Sequence, residues 1–435
     1  MTPAGRRDAP VVLDPRTRRL HGDRTLLSPT GRLLRLGPRG PQALEQLARG
    51  VGDDPARRLA RTLLDADAAH PHPDPHPADD VTVVIPVKDR VTELEVCLAA
   101  LRGHDVIVVD DGSLDAAAVD RTCRHHGARL ERRPNGGPAA ARNTALPLVH
   151  KDFVAFLDSD CLPPRDWLEA LRGHFEDPSV VAVAPRVVGG PRSPLDLGPH
   201  PALVRPGTAV AYVPTAALLV RRSAVLPFEE GLRWGEDVDL VWRLVEAGGS
   251  VRYDPSVVVE HREPVRLGDR LVRRYRYGTS AAPLAQRHPG SLTHLVLHPW
   301  PTAVLALLLV RRPWPAAAVA AGMAGRVDRH VHHLPTSAAR VGTSVNGTAA
   351  GLGRALAMLG PLAWWAATRD RRAAALLLWP VVQEWRERRP DEDLPEFTAR
   401  VLLDQAAYGA GVVAGCVEHR TASPLVPRAG RRRRR

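Results

Sequence analysis

Two carboxylates stand one residue apart at the end of a strongly apolar run, in the stretch Phe153-Val-Ala-Phe-Leu-Asp-Ser-Asp160. Carboxylate oxygens are the ligands that hard divalent cations such as Mg²⁺ and Mn²⁺ prefer. A cation held there could neutralise charge on a departing diphosphate. Such pairs are common by chance, and others occur at 65/67, 237/239 and 391/393, but only this pair follows a buried strand. The sequence therefore predicts a metal site at Asp158 and Asp160.

Two further side chains with suitable chemistry lie downstream. Asp237, preceded by Trp-Gly-Glu, opens an amphipathic helical pattern, so we expect the positive end of the helix dipole to favour its ionised form. An ionised carboxylate can take a proton from a sugar hydroxyl, although an N-cap is the plain alternative. His261 ends an apolar run. A lone histidine can be purely structural, but an imidazole beside carboxylates suits Mn²⁺ better than Mg²⁺ alone.

The remaining candidate contacts follow earlier apolar runs. Asp111, in Asp-Asp-Gly-Ser, could accept a hydrogen bond from a uracil N–H or a ribose hydroxyl, or merely cap the next helix. The segment Asn135-Gly-Gly-Pro opens a helix on which Arg142 lies one turn in, able to reach a diphosphate. This is not the GxGxxG dinucleotide fingerprint, so a nicotinamide enzyme is disfavoured.

The elements that must position these residues alternate between strand and helix. Apolar runs at 81–87, 106–109, 153–157 and 180–184 predict buried strands, and amphipathic helical patterns lie between them. This alternation predicts an α/β fold with a parallel sheet covered on both faces. Ligands bind such sheets beyond the carboxyl ends of the strands, where the candidate residues stand.

Composition divides the chain into five segments. Residues 1–69 predict a small α+β module, and 70–80 is a His/Pro tract whose alternating prolines favour an extended linker over a metal-binding segment. The α/β domain covers 81–277, a helical region 278–425, and an arginine-rich tail 426–435. The four cysteines lie far apart and the N-terminus has no apolar signal segment, which favours the cytoplasm.

The helical region has a composition of its own. Six of the nine tryptophans lie in it, and its apolar stretches are flanked by arginine. None reaches the roughly 20 residues needed to span a bilayer. The pattern favours attachment to the cytoplasmic face of a membrane, with a buried helical bundle as the alternative. The net charge of +12 suggests an anionic partner, but no recognition motif supports nucleic acid.

Five motifs together resemble those of family 2 inverting glycosyltransferases of the GT-A fold: VTVVIPVKDR, VIVVDDGS, NGGPAAARN, FVAFLDSD and WGEDVDLVWRL. The resemblance covers residues 81–277 and implies a Rossmann-like, Mn²⁺- or Mg²⁺-dependent domain that uses a UDP-sugar donor. It implies one role for each matching position: Pro86 on the wall of the nucleotide pocket, Asp111 at the uracil, Arg142 near the diphosphate, Asp158 nearer the ribose, Asp160 as direct metal ligand, His261 as a third ligand, and Asp237 as catalytic base.

Within the family, the resemblance extends to members that act in mycofactocin biosynthesis. It implies transfer of glucose from UDP-glucose to a peptide-derived redox cofactor precursor, building a short β-linked oligoglucoside, with the N-terminal module helping to hold the acceptor. No QxxRW motif follows Asp237, which argues against long-chain processivity. Two alternatives stay open: a membrane transferase acting on a polyprenyl phosphate or other lipid acceptor, and a non-catalytic GT-A domain that binds a glycan or nucleotide.

Overall fold

The computed structural model describes residues 9–21, 23–51, 53–189, 193–262, 266–292, 295–388 and 392–430. The chain divides into two compact units, Met1–Glu263 and Pro264–Arg435. The break therefore lies before the boundary predicted at 277. Residues 267–279 form a helix that packs along the last long helix of the second unit, and this packing assigns them to it. Residues 431–435 of the predicted arginine-rich tail lie outside the described residues.

The strands and helices of the first unit are, in chain order, β1 (Val11–Leu13), β2 (Arg18–Leu20), β3 (Thr25–Leu27), β4 (Leu33–Arg35), α1 (Gly40–Ala48), α2 (Asp54–Asp65), β5 (Ala69–Pro71), β6 (Val81–Val87), α3 (Val91–Ala100), β7 (Asp105–Asp110), α4 (Ala116–His126), β8 (Arg129–Arg132), α5 (Pro138–Ala145), β9 (Phe153–Leu157), β10 (Cys161–Leu162), α6 (Trp167–Arg172), β11 (Val180–Val188), β12 (Ala202–Leu203), β13 (Ala217–Arg221), α7 (Glu236–Glu246) and β14 (Ser250–His261). Those of the second unit are α8 (Leu267–Thr279), α9 (Ala281–Arg287), β15 (Val296–Leu297), α10 (Pro299–Leu309), α11 (Pro313–Val331), α12 (Leu334–Ala357), α13 (Pro361–Arg369), α14 (Arg371–Arg388), α15 (Leu394–Glu418) and β16 (Arg428–Ala429).

The N-terminal module has its own small core. Strands β2, β3 and β4 form an antiparallel sheet, and α1 and α2 pack over it around the fully buried Leu26 and Leu63. Strand β5 pairs with β1, and the buried His70 Nε2 lies 2.9 Å from Asp14 Oδ2. Residues 70–71 therefore belong to the module and not to the predicted linker, because this buried pair and the strand pairing hold them there.

The larger sheet carries the site. Its strand order is β10-β14-β11-β13-β9-β6-β7-β8, and β12 pairs with β14. Strands β6, β7, β8 and β9 run parallel, as predicted, and the apolar residues of β6, β7 and β9 are buried on both faces. The predicted parallel sheet is in fact mixed, because β13 lies antiparallel between β9 and β11, and the short strands β10 and β12 lie antiparallel to β14. An antiparallel strand buried on both faces has the same continuous apolar pattern as a parallel one, so periodicity could not distinguish it.

Parallel pairing brings the candidate residues to one edge of this sheet. Val87 at the end of β6 pairs with Asp110 at the end of β7, and Val84 pairs with Phe156 of β9. The loops after these three strands, at 88–90, 111–115 and 158–160, therefore leave the sheet on the same side. This is the edge at which ligands bind in open α/β sheets.

The second unit is helical, as predicted, apart from the short parallel pair β15–β16. Helices α8 and α15 approach closely at Gly278 and Gly411, where an added Cβ would meet opposing backbone within 2.2 Å and 1.9 Å. Among the described residues, no helix combines the length and apolarity that crossing a membrane requires.

Candidate active site

The predicted metal pair lies where β9 ends. The amide of Asp158 donates to the carbonyl of Ala216, the residue before β13 (2.9 Å), which fixes the start of the turn. The chain then enters β10, in which Cys161 pairs with His261 at the end of β14. This pairing brings His261 Nε2 to 3.5 Å from Asp160 Oδ1, and both side chains are buried. The structure therefore joins two of the predicted metal ligands across a long stretch of sequence.

Arg90 is a member of this site to which the sequence analysis gave no role. Its guanidinium forms an ion pair with Asp160. The residue lies in the short loop between β6 and α3, so its position just beyond a strand end was the available signal. A buried carboxylate needs a compensating positive charge. Arg90 supplies that charge here, and a divalent cation could supply it instead. A carboxylate and an imidazole nitrogen so close together fit Mn²⁺, which accepts both ligand types.

The side chain of Asp158 has a different ion-pair partner from that of Asp160. Its Oδ1 accepts from Arg142 Nη2 (2.7 Å), and Arg142 Nη1 also donates to Glu236 Oε1 (3.0 Å). Burial alone would lower the pKa of Arg142, but the negative charges of Asp158 and Glu236 raise it. Arg142, whose guanidinium lies 5.4 Å from the Phe228 ring, thus bridges the metal loop and the start of α7. Direct metal ligation by Asp158 and contact of Arg142 with a diphosphate stay predictions.

The candidate base lies in the first turn of α7. The turn is reached through Gly235, whose φ of 82° is a conformation that favours glycine. Burial, and then the negative charge of the adjacent Glu236, raise the pKa of Asp237 to about 7. The expectation that the helix dipole would favour the ionised form is therefore wrong in its direction, because these two effects outweigh the dipole. A carboxylate with this pKa can accept a proton near neutral pH.

Asp111 organises the glycine-rich loop. Its carboxylate accepts from the amides of Gly136 (2.9 Å) and Gly137 (2.7 Å), and from Arg133 Nη1 (2.9 Å). The neighbouring Gly112 has a φ of 79°, and an added Cβ would lie 2.9 Å from the Asn135 nitrogen. Asp111 does not cap the next helix.

That capping role belongs to Asp115, whose Oδ1 accepts from the amide of Ala118 in α4. Pro86, predicted on the wall of a nucleotide pocket, is partly buried in β6 opposite Val109. Contact of Asp111 or Pro86 with a nucleotide stays a prediction.

One cluster outside this edge has the composition of a metal site. Among the described residues, only Glu95, His125 and His126 bring three potential metal-ligand atoms of His, Cys, Asp or Glu side chains within 4.8 Å of one another. Glu95 Oε1 lies 2.8 Å from His126 Nε2, and the cluster joins α3 to α4. The Asp160–His261 pair would need further ligands from a bound diphosphate or water to complete a coordination shell.

Comparison with known proteins identifies the family of this chain. The model of glycosyl transferase family 2 matches residues 82–221, from the first residues of β6 to the end of β13. The chain belongs to this family of enzymes, since it is also 41% identical to a curated member across almost its whole length. That relative is the pre-mycofactocin glycosyltransferase of Mycobacterium tuberculosis, and the alignment covers 96% of this chain and 97% of the relative.

More distant matches cover about half of this chain. Glycosyltransferase AglE of Haloferax volcanii is 28% identical, over 46% of this chain and 71% of its own. A crystal structure of S. aureus TarS in complex with UDP aligns with a TM-score of 0.38 and 18% identity, over 46% of this chain and 65% of that one.

Proposed function

We propose that this enzyme transfers glucose from UDP-glucose to a peptide-derived redox cofactor precursor, pre-mycofactocin, and builds a short β-linked oligoglucoside on it. The observation that carries the proposal is the 41% identity to a pre-mycofactocin glycosyltransferase over almost the full length of both chains. Such coverage includes the N-terminal module and the helical unit, which the family model leaves unmatched.

The donor would lie across the carboxyl edge of the large sheet. Pro86 and Asp111 would face the uracil. The loop that Asp111 holds opens α5 with backbone amides, which would face the phosphates. Asp158 would contact the ribose. Arg142, already paired with Asp158, would place its charge near the diphosphate.

A divalent cation, Mn²⁺ or Mg²⁺, fits beside this donor. Asp160 and His261 would hold it, with Asp158 close by. When bound, it supplies positive charge against the diphosphate that leaves. Arg90 would then release Asp160, and its guanidinium would remain available to the same phosphates.

Asp237 would act as the general base. Its carboxylate takes the proton from the acceptor hydroxyl while that oxygen forms a bond to the anomeric carbon. The bond from this carbon to the diphosphate oxygen breaks on the opposite face, so the sugar configuration inverts. Removal of such a base typically costs about 10²- to 10⁴-fold in rate. Asp237→Asn should therefore lose most turnover and keep nucleotide binding.

The N-terminal module would help to hold the acceptor. It is tied to the α/β domain, because Arg61 Nη1 donates to Asp177 Oδ2 (3.0 Å) and the Leu203 amide donates to Asp67 Oδ1 (2.8 Å). Hydrogen exchange of the full chain with and without acceptor tests this role. Protection should appear within residues 9–71; an acceptor that protects only residues beyond 80 would contradict it.

A donor and acceptor screen tests the whole proposal. UDP-glucose, UDP-galactose, UDP-N-acetylglucosamine and GDP-mannose are each offered with and without Mn²⁺, to the peptide-derived acceptor and to a polyprenyl phosphate. We expect hexose additions to the peptide-derived acceptor with UDP-glucose and metal only. Transfer to the polyprenyl phosphate alone, or no UDP release with any acceptor, would contradict the proposal. Asp120→Asn, an exposed carboxylate on α4 paired with Arg124, is the matched control for Asp237→Asn.

We also propose that the enzyme works at the cytoplasmic face of a membrane, attached through its helical unit. The arginine-flanked apolar helices of that unit support this location.

A further inference from the structure

The positive charge of the chain is concentrated in the second compact unit. Residues 264–435 contain 26 arginines against 11 aspartates and glutamates, a net charge of +15, whereas residues 1–263 carry a net charge of −3. A general preference of the genome for arginine would raise the charge of both units alike. The asymmetry therefore indicates an anionic partner of the helical unit, distinct from the donor that the first unit would bind.

The same unit exposes large apolar side chains beside its arginines. The connection between α10 and α11 presents Val310 (62% exposed), Arg311, Arg312 and Trp314 (84% exposed) in five consecutive positions. Leaving such side chains in water is unfavourable. Tryptophan and arginine at the tip of an apolar helix are typical of segments that lie in the interface of a bilayer.

An apolar groove lies next to this connection. It has a volume of about 580 Å³ between α10, α11, α12 and α14, and Leu308, Ala321, Val341, Gly342 and Trp379 are among the residues that line it. The one polar side chain in the lining is Asn346, whose Oδ1 already accepts from Trp379 Nε1 (2.6 Å). A groove of this size with so little polar surface suits a hydrocarbon chain better than a polar ligand.

We propose that this groove takes one acyl chain of an anionic phospholipid, while Arg311 and Arg312 contact the phosphate headgroups around it. Leu308 lines the groove and stands three residues before Arg311, so chain and headgroup contacts adjoin. The occupant is a membrane lipid because the apolar lining and the exposed cationic rim match its two chemical parts. The helical unit would lie on the surface of the bilayer. This inference rests on the membrane attachment proposed above and does not depend on the donor or the acceptor.

Vesicle flotation with the full chain tests the charge requirement. Wild-type protein should float with vesicles of phosphatidylcholine and phosphatidylglycerol in a two-to-one ratio, and not with phosphatidylcholine alone. Arg311→Gln with Arg312→Gln should weaken binding about 25-fold, since each arginine near an anionic surface contributes about a fivefold factor. The control is Arg57→Gln with Arg58→Gln, an exposed pair on α2 in the first unit, which should bind as wild type.

A pair of substitutions in α12 tests the groove itself. Gly342 lines it, and an added Cβ there meets nothing within 4 Å, so Gly342→Leu should fill the groove without disturbing the fold. Gly347→Leu is the matched control, because Gly347 lies on the same helix and a Cβ added there also meets nothing within 4 Å, but the residue does not line the groove. Gly342→Leu should bind the anionic vesicles about tenfold more weakly, and Gly347→Leu as wild type.

Several results would overturn the proposal. Equal flotation with both vesicle types, or with neither, would remove the anionic lipid as partner. Equal binding by the two leucine variants would show that no chain enters the groove. A wild-type dimer by light scattering that Gly342→Leu converts to monomer would assign the groove to a second copy of this chain instead.

Discussion

The pH dependence of turnover follows directly from the environment of Asp237. The base must be ionised to take a proton, and its pKa is about 7 in the donor-free enzyme. The pH profile of kcat/KM reports groups of the free enzyme. We therefore expect kcat/KM to rise with pH through about 7 and to reach a plateau above it.

The pKa of about 7 sets how far kcat/KM falls as the pH is lowered. The ionised fraction of Asp237 is then about one tenth at pH 6, about one half at pH 7 and about nine tenths at pH 8. Between pH 8 and pH 6, kcat/KM should fall about tenfold. An Asp with its ordinary pKa near 4 would give almost no change over this range.

Initial rates of UDP release, measured at low UDP-glucose over pH 5.5 to 8.5, provide the assay, with about as many points on either side of neutrality. A proton that competed with the metal for its ligands would produce a fall that moves with Mn²⁺ concentration, so the series is repeated at saturating Mn²⁺. A profile that stays flat from pH 6 to 8, or a fall that disappears in excess Mn²⁺, would refute the assignment of Asp237 as a base with a raised pKa.

Four further changes have defined outcomes. Glu236→Gln removes the neighbouring charge that raises the pKa of Asp237, so the acid limb should move to lower pH; an unmoved limb contradicts that coupling. Asp237→Asn should raise Tm at pH 8 but not near pH 4. The raised pKa of Asp237 lowers the free energy of unfolding only where the unfolded chain would be ionised at this residue, so the loss is absent below the pKa of the unfolded state and grows as pH rises through about 7. Arg90→Ala should strengthen binding of Mn²⁺ alone, measured by EPR, since Asp160 loses its competing cation; unchanged affinity would show that the two charges do not compete. Asp111→Asn should weaken UDP binding about tenfold in calorimetry, because an amide cannot accept at both positions and the loop at 136–137 loosens.

Much of the fold follows from local pattern. The runs at 81–87 and 153–157 form strands with those bounds, because both are apolar and β-branched or aromatic and lie in the middle of the sheet. The direction of β13 did not follow, since a strand buried on both faces has the same pattern whichever way it runs. The place of His70 in a strand of the N-terminal module was not predicted either, because it depends on Asp14, a partner 56 positions away in the sequence.

The site shows the same division between local and distant information. The Asp158–Asp160 pair and Asp237 stand out because a motif and an element end coincide in a few residues. The pairing of arginines with the carboxylates of the site could not be predicted in this way. Arg90 reaches Asp160 across 70 positions of the sequence, and Arg142 reaches Glu236 across 94. The pKa of Asp237 depends on this enclosure, which explains why helix position alone gave the wrong direction.

A structure of the full chain with UDP and Mn²⁺ would show whether Asp160, His261 and Asp237 surround one donor. We expect Mn²⁺ about 2.2 Å from an Asp160 oxygen and from His261 Nε2, on the diphosphate of a UDP held at the loop of Asp111, with the Asp237 carboxylate facing the sugar side of that diphosphate. Manganese bound instead at Glu95, His125 and His126, with the diphosphate away from Asp160, would contradict it.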